Sequence, residues 1–358
     1  MYSRSTVLVS VLMPAFNAAA TLPTAIRSVL DQSHADLELL VVDDGSTDGT
    51  SRMLDSWRRQ DPRLRVLSHA VNRGRSAARN HAIAEAAGEW LALIDADDLW
   101  SPVRLERLLA VTRSHPTADL VTDDRIGFTV SPRGKVILRH RFPSREAWGL
   151  GGVAPLQRRG WVMDKRHFDP LVRRSFVVES GASFPENLSS AEDQTFFMEL
   201  VFAARGCEAV RLAEPLYYYR LGHATRPSDQ DVNFVRAVQI AVDQTGSSEL
   251  RRLVAPAMAG EIAMRRRDST LRAKAGRLVA ADAIDGDDCG SADLRRRTRP
   301  WVMLRSLWFR RFLTVVSILA DRRVRPSVIA EIERQLAGPD VDLPSRGSSR
   351  RLFGAFRY

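Results

Sequence analysis

Apolar and polar positions along the first 125 residues follow two alternating rhythms, short apolar runs and helical stripes, the pattern of a doubly wound α/β sheet. Val7 to Met13 reads as an apolar strand, and behind a Thr21 cap Leu22, Ile26, Val29 and Leu30 fall on one helical face. Leu37 to Val42 is the next strand. A helix begins near Ser46 to Thr50 and buries Met53, Leu54 and Trp57, and Leu64 to Leu67 returns as a strand. Ser76 to Ala87 is an Ala-rich helix and Trp90 to Ile94 a strand. Ser101-Pro102 then sets an N-cap and an N1 proline before Leu105, Leu108 and Leu109, completing four βα units.

In such sheets ligands bind beyond the carboxyl ends of the strands, so the residues directly after each strand carry the functional information. They are strongly polar here. Strand one ends in Pro14-Ala15-Phe16-Asn17, strand two in Asp43-Asp44-Gly45-Ser46, strand three runs on to Asn72-Arg73-Gly74-Arg75, and strand four ends in Asp95-Ala96-Asp97-Asp98.

Length and composition allow one large core and a smaller second module: 358 residues, 44% hydrophobic and 27% charged. The net charge of +10 and pI near 10.4 suit nucleic acid, anionic lipid or phosphorylated substrates. Nucleic acid is set aside because no helix-turn-helix, zinc finger or aromatic-basic RNA motif accompanies the charge. Cys207 and Cys289 are too few and too isolated for a disulfide framework or a CxxC metal site, which favours a reducing compartment. The leading apolar run enters a patterned domain and shows no small-residue cleavage site, so it reads as a strand rather than a signal, and the expectation is a cytoplasmic protein. Arginines interrupt the greasiest stretch, residues 301–323, well below the roughly 18 to 20 apolar residues that a membrane span requires.

The ordered series MPAFN, VVDDGSTDGT, NRGRSAARNHAI and LIDADDLWSP, continued by PLVRRSF, SSAEDQTFF and YYYRLGH, resembles the family-2 glycosyltransferases, in look closest to bacterial exopolysaccharide enzymes of the succinoglycan type. The likeness spans about residues 5 to 225. It implies a GT-A fold, Rossmann-like, with a mainly parallel sheet and helices on both faces, over residues 1–225. A basic, mainly helical C-terminal region follows over 226–358.

By that resemblance Asp95 and Asp97 form a DxD pair holding a divalent metal, Mn²⁺ or Mg²⁺, at the diphosphate. The other reading is that these acids solvate a loop or face the helix at Pro102. Pro14, Ala15, Phe16 and Asn17 would contact the nucleoside, Asp44 the base edge, and Asp95 with Ala96 the nucleotide-sugar; the turn-forming role of Asp43-Asp44-Gly45-Ser46 stays open beside this. Arg79 would reach the nucleotide, since a buried arginine needs an anionic partner, the alternative being an exposed helix arginine. Asp193 of the Glu192-Asp193 pair would be the general base. Ser189 and Ser190, three residues before Glu192 and Asp193, equally fit a capping box. His223 stands either as a third metal ligand, an acceptor-site residue or a structural histidine.

One base and one in-line displacement imply inversion at the anomeric carbon. The expected partners are a nucleoside-diphosphate sugar, UDP-hexose, and a glycan or lipid-linked glycan acceptor. Trp301, Leu304, Leu307, Trp308 and Leu313 with interleaved arginines suit an anionic membrane surface, at the inner face of the cytoplasmic membrane; packing on the catalytic domain and an oligomer contact remain alternatives. A sugar-nucleotide pyrophosphorylase would require a Gly-rich phosphate loop, which MPAFNAA lacks. The competing function is a non-catalytic nucleotide- or carbohydrate-binding protein on the same fold.

Overall fold

The computed structural model describes residues 7–142, 153–155, 169–188, 191–203, 205–221, 237–254 and 326–337. The N-terminal half alternates as the apolar pattern predicts: β1 (Val9–Ala15), α1 (Leu22–Leu30), β2 (Leu37–Asp43), α2 (Thr50–Gln60), β3 (Leu64–Ser68), α3 (Arg75–Glu85) and β4 (Trp90–Leu93). A two-residue strand, β5 (Leu99–Trp100), precedes α4 (Arg104–Ser114). Then follow β6 (Leu120–Val130), β7 (Val136–Phe142), β8 (Val153–Pro155), β9 (Leu171–Arg173), α5 (Arg174–Ser180), α6 (Glu192–Val201) and β10 (Ala209–Arg220).

The sheet runs β3-β2-β1-β4-β9-β6-β10-β5, with β7 on β6 and β8 on β10. Its first four strands are mutually parallel, because each is joined to the next through a helix that returns the chain to the starting edge. The other half is mixed: β9 runs antiparallel to both β4 and β6, while β6 and β10 are parallel. Helices cover both faces. Leu12, Leu40 and Val42 face α3, α5 and α6 through Ala78, Phe176 and Phe196; Val11, Leu39 and Val41 face α1, α2 and α4 through Ile26, Leu54 and Leu108.

Predicted helical faces are buried where the periodicity put them, including Leu22, Ile26, Val29 and Leu30. On α2 Leu54 is the one fully buried apolar side chain, with Met53 and Trp57 packing at its margin. The helix starts differ from expectation. The backbone N–H of Ser101 donates to Leu216 O, and Pro102 O accepts from Ser33 N–H, so this pair serves the sheet edge and α4 starts after Val103. Thr21 occupies the N-cap position, but its side chain caps no helix N–H.

Beyond residue 225, helical residues 237–245 and 248–254 add Val238, Ala241, Val242, Leu250 and Val254 to the core on the α3–α6 side. Helical residues 326–337 pack Val328 and Ile332 against Leu99, Ile126, Phe128 and Tyr218. Residues 301–313, His223, Ser189, Ser190 and Cys289 lie outside the described residues; Cys207 is half-buried. Among the described residues, no helix is long and apolar enough to cross a membrane.

Candidate active site

Strand register brings the four polar strand ends to one edge. Ala15 pairs with Asp43, Asp43 with Ser68, and Leu12 with Leu93. Phe16, Asp44 and His69 therefore follow neighbouring strand ends, and the Asp95–Asp98 segment emerges beside them.

The first two loops are knitted together. Asn17, in a left-handed conformation (φ 48°) that asparagine tolerates, accepts at Oδ1 from Thr47 N–H (2.8 Å), and its own N–H donates to Ser46 Oγ (3.0 Å). Gly45 has φ +73°, and a Cβ there would lie 2.7 Å from the backbone of Val71 and Asn72, so the loop after β3 closes directly over it. Phe16 (48% exposed) and Val71 (67%) leave apolar surface open on either side of this junction. Pro14 and Ala15 are buried in β1.

Asp44 is buried. Its Oδ1 is 2.7 Å from His69 Nδ1 and accepts from Arg73 N–H (2.9 Å), and its Oδ2 accepts from Gly74 N–H (2.8 Å). The carboxylate thus fixes the loop leading into α3. His69 Nε2 in turn lies 3.1 Å from Nδ1 of the stacked His81.

Arg79 projects from α3 into the interior, with its guanidinium 5.2 Å from the Phe184 ring centroid. Its Nη2 donates to Asp95 Oδ1 (2.8 Å) and its Nη1 to Glu192 Oε1 (2.9 Å). The anionic partner that a buried arginine requires is therefore present within the protein itself. Burial works against the charged guanidinium, and the attraction of Asp95 and Glu192 outweighs it, so its pKa lies above the ordinary arginine value. Burial likewise raises the Asp95 carboxyl, while Arg79 and then Arg75 pull it down, with a net lowering.

The DADD segment is half-buried at Asp95 and Asp97 and buried at Ala96 and Asp98. One carboxylate oxygen from each of Asp95, Asp97 and Asp98 lies within 4.8 Å of the others. That all-oxygen donor set fits a hard divalent cation. Asp98 accepts from Tyr217 Oη–H (2.7 Å) at Oδ2 and from Arg220 N–H (2.7 Å) at Oδ1. Burial, then the charges of Asp97 and Asp95, push its carboxyl well above the usual range against those two bonds.

α6 starts at Glu192, so Glu192 and Asp193 occupy its first turn, not the third-residue position of a capping box. Its N-cap is Ala191 in a left-handed conformation. Acids in the first turn complement the helix dipole. Asp193 is half-buried, and its Oδ1 accepts from Gln194 N–H (2.8 Å). The bridge through Arg79 brings this helix end to the DADD segment, across 113 residues of sequence.

Sequence reasoning missed Asp98, Tyr217 and Asp169. Asp169 sits two residues before β9, where the pairing of Ala92 with Leu171 carries it alongside the end of β4. Arg125 Nη1 reaches its Oδ2 (3.3 Å), and Arg104 Nη2 donates to its carbonyl (2.6 Å). Burial raises the Asp169 carboxyl, opposed by Arg125 and reinforced by the charges of Asp95 and Asp193. The signals that were available are the fourth residue of DADD, directly before an apolar pair, and the YYYR repeat, whose period of two puts Tyr217 and Tyr219 on one face.

Residues 10–169 match the family described as glycosyl transferase family 2. Among curated relatives, the chain is 33% identical over 193 residues to succinoglycan biosynthesis protein ExoU of Rhizobium meliloti, covering 53% of this chain and 55% of that one. It is 38% identical over 104 residues to the Escherichia coli UDP-Glc:alpha-D-GlcNAc-diphosphoundecaprenol beta-1,3-glucosyltransferase WfgD, covering 29% and 40%. The chain thus spans about half or less of these relatives' lengths. Residues 1–349 of S. aureus TarS, solved with UDP-GlcNAc, share the fold at 22% identity and a TM-score of 0.57, over 69% of this chain and 70% of that one. The motifs, the strand-end geometry and these likenesses agree: residues 10–169 match the glycosyl transferase family 2 domain, and the fold is of the GT-A type.

Proposed function

We propose that this protein is an inverting glycosyltransferase that moves a hexose from a UDP-sugar to a hydroxyl of a bacterial exopolysaccharide or cell-surface glycan. The observation that carries the reading is the bridge from Asp95 through Arg79 to Glu192, which sets the DxD pair and the Glu192-Asp193 pair at one edge of the sheet. The named chemistry of WfgD, a UDP-glucose donor and a lipid-diphosphate-linked acceptor, supports a UDP-sugar here and a similar class of acceptor.

Phe16 and Val71 offer apolar surface to the base, with Pro14, Ala15 and Asn17 lining the nucleoside side and Asp44 holding the loop that closes over it. Asp95 and Asp97 would hold a divalent cation, Mn²⁺ or Mg²⁺, and Ala96 keeps the chain between them close to the diphosphate. When bound, that cation supplies positive charge to the leaving diphosphate. Asp193 accepts the proton of the acceptor hydroxyl as its oxygen attacks the anomeric carbon and the diphosphate departs from the opposite face. The product then has inverted configuration. General-base assistance of this kind contributes roughly 10² to 10⁴-fold. The alternative, a binding protein without turnover, finds no support in a chain that keeps Asp95, Asp97 and Asp193.

Release of UDP from a panel of UDP-hexoses, with NMR of the product's anomeric centre, tests the reading. Turnover with inversion supports it; nucleotide binding without turnover on any donor, with lipid-diphosphate glycan acceptors present, transfers the case to the binding-protein reading.

A further inference from the structure

Three adjacent acids, Asp95, Asp97 and Asp98, bring oxygens within ligand distance of one another, yet their surroundings differ. Asp95 keeps 27% of its side chain exposed, whereas the Asp98 residue is 1% exposed. Both Asp98 oxygens are taken by donors from one strand: Tyr217 Oη–H to Oδ2 and Arg220 N–H to Oδ1, each at 2.7 Å. The same strand grips the rest of the segment. Arg220 Nε donates to the Asp97 carbonyl (2.8 Å), and the Asp95 N–H points to Tyr217 Oη (3.4 Å).

The anchoring strand is itself held on both sides. Arg104 and Arg125 lie against the Tyr217 ring, at 5.1 and 6.0 Å from its centroid. Leu99 and Tyr218, the next residues of the two paired strands, pack on the other face beneath Val328 and Ile332, and Gln335 Nε2 donates to Trp100 O (2.9 Å). A coordinating carboxylate needs lone pairs aimed at the ion and a path for exchange. Asp98 spends its oxygens on β10 instead.

We propose that Asp98 is a positioning residue and not a third ligand: with Tyr217 and Arg220 it anchors the 95–98 segment to β10 and so aims the carboxylates of Asp95 and Asp97. This rests on the metal-binding reading of those two acids. Groups that orient metal ligands typically change affinity 10 to 100-fold when removed.

The full-length protein, with saturating UDP, is titrated with Mn²⁺ as Asp98→Asn, Tyr217→Phe and the double variant, and amide exchange over residues 94–98 is followed without metal. Phe keeps the ring that Arg104 and Arg125 lie against, so Tyr217→Phe removes only the hydroxyl. Each single variant is expected to lose 10 to 100-fold in Mn²⁺ affinity, the double variant to lose little more than either, and both to speed exchange of the segment. Wild-type affinity in Tyr217→Phe beside lost binding in Asp98→Asn would make Asp98 a ligand and overturn the proposal, as would unchanged exchange in both. If the wild type itself binds no Mn²⁺, the metal reading falls, and the exchange result alone decides the anchor.

Discussion

Arg79 Nη1 lies 2.9 Å from Glu192 Oε1, joining a residue of α3 to the first residue of α6 while its Nη2 holds Asp95 at 2.8 Å. One guanidinium thereby fixes the spacing between the two acidic pairs on which the proposed chemistry depends. Its fork geometry is what permits this; a point charge could satisfy one carboxylate fully but not both at these separations.

Removing the bridge therefore leaves the buried Glu192 and the half-buried Asp95 without the guanidinium they share. Arg79→Met should cost about 3–5 kcal/mol in a urea titration. Arg79→Lys should recover part of that stability but not the donor affinity of the wild type. Equal stability of Arg79→Met and wild type would show that the bridge does not hold the site together.

Asp193→Asn should lower turnover by about 10² to 10⁴-fold while leaving UDP affinity within a factor of two or so, because Asp193 acts on the acceptor side. Its half-buried position at the helix start leaves the fold intact on substitution. Steady-state kinetics beside a UDP titration separates the two effects. A variant with unchanged turnover would remove Asp193 from the role of base.

Glu199, on the same helix, is 7% exposed. Its Oε1 is a buried atom without a hydrogen-bond partner among the described residues, and its Oε2 accepts only a long bond from Ser183 N–H (3.4 Å). Burial raises its carboxyl to about 7 from an ordinary 4.5, the Ser183 bond opposing. Between those two values the folded protein keeps a proton that the unfolded chain has released, so stability falls as pH rises through the window and levels off above it. Glu199→Gln should remove this slope and be more stable than wild type at pH 8 by on the order of 2 kcal/mol. Thermal melts from pH 4.5 to 8 with parallel slopes for both proteins would contradict the assignment.

Ile332, fully buried against the far side of β5, β6 and β10, ties the C-terminal helical residues to the strands that carry the site. Ile332→Ala should destabilise the protein by about 2–5 kcal/mol in chemical denaturation. A change of a few tenths would mean that this helix is not docked in solution.

The strand-and-helix order was readable because its signal is local: apolar runs such as Leu37–Asp43 are buried at every position, and amphipathic stripes such as that of α1 repeat within one element. Capping was less readable. Ser101-Pro102 has the chemistry of a helix start, yet its backbone groups bond Leu216 and Ser33, a tertiary demand that no local pattern shows. The acids of the site were visible as residue types, but not their partners. Arg79 meets Glu192 across 113 residues, and the Asp98–Tyr217 bond spans 119; such pairings arise from sheet order, in which β10 lies next to β5 and β9 next to β4. The antiparallel insertion of β9, which brings Asp169 to the site, has no mark in a three-residue strand.

The most direct test of the donor site is isothermal titration of the protein with UDP, GDP and dTDP, with and without Mn²⁺, beside Asp97→Ala. The account predicts Mn²⁺-dependent binding of UDP that Asp97→Ala abolishes. Failure of every nucleoside diphosphate to bind, even with Mn²⁺, would contradict it.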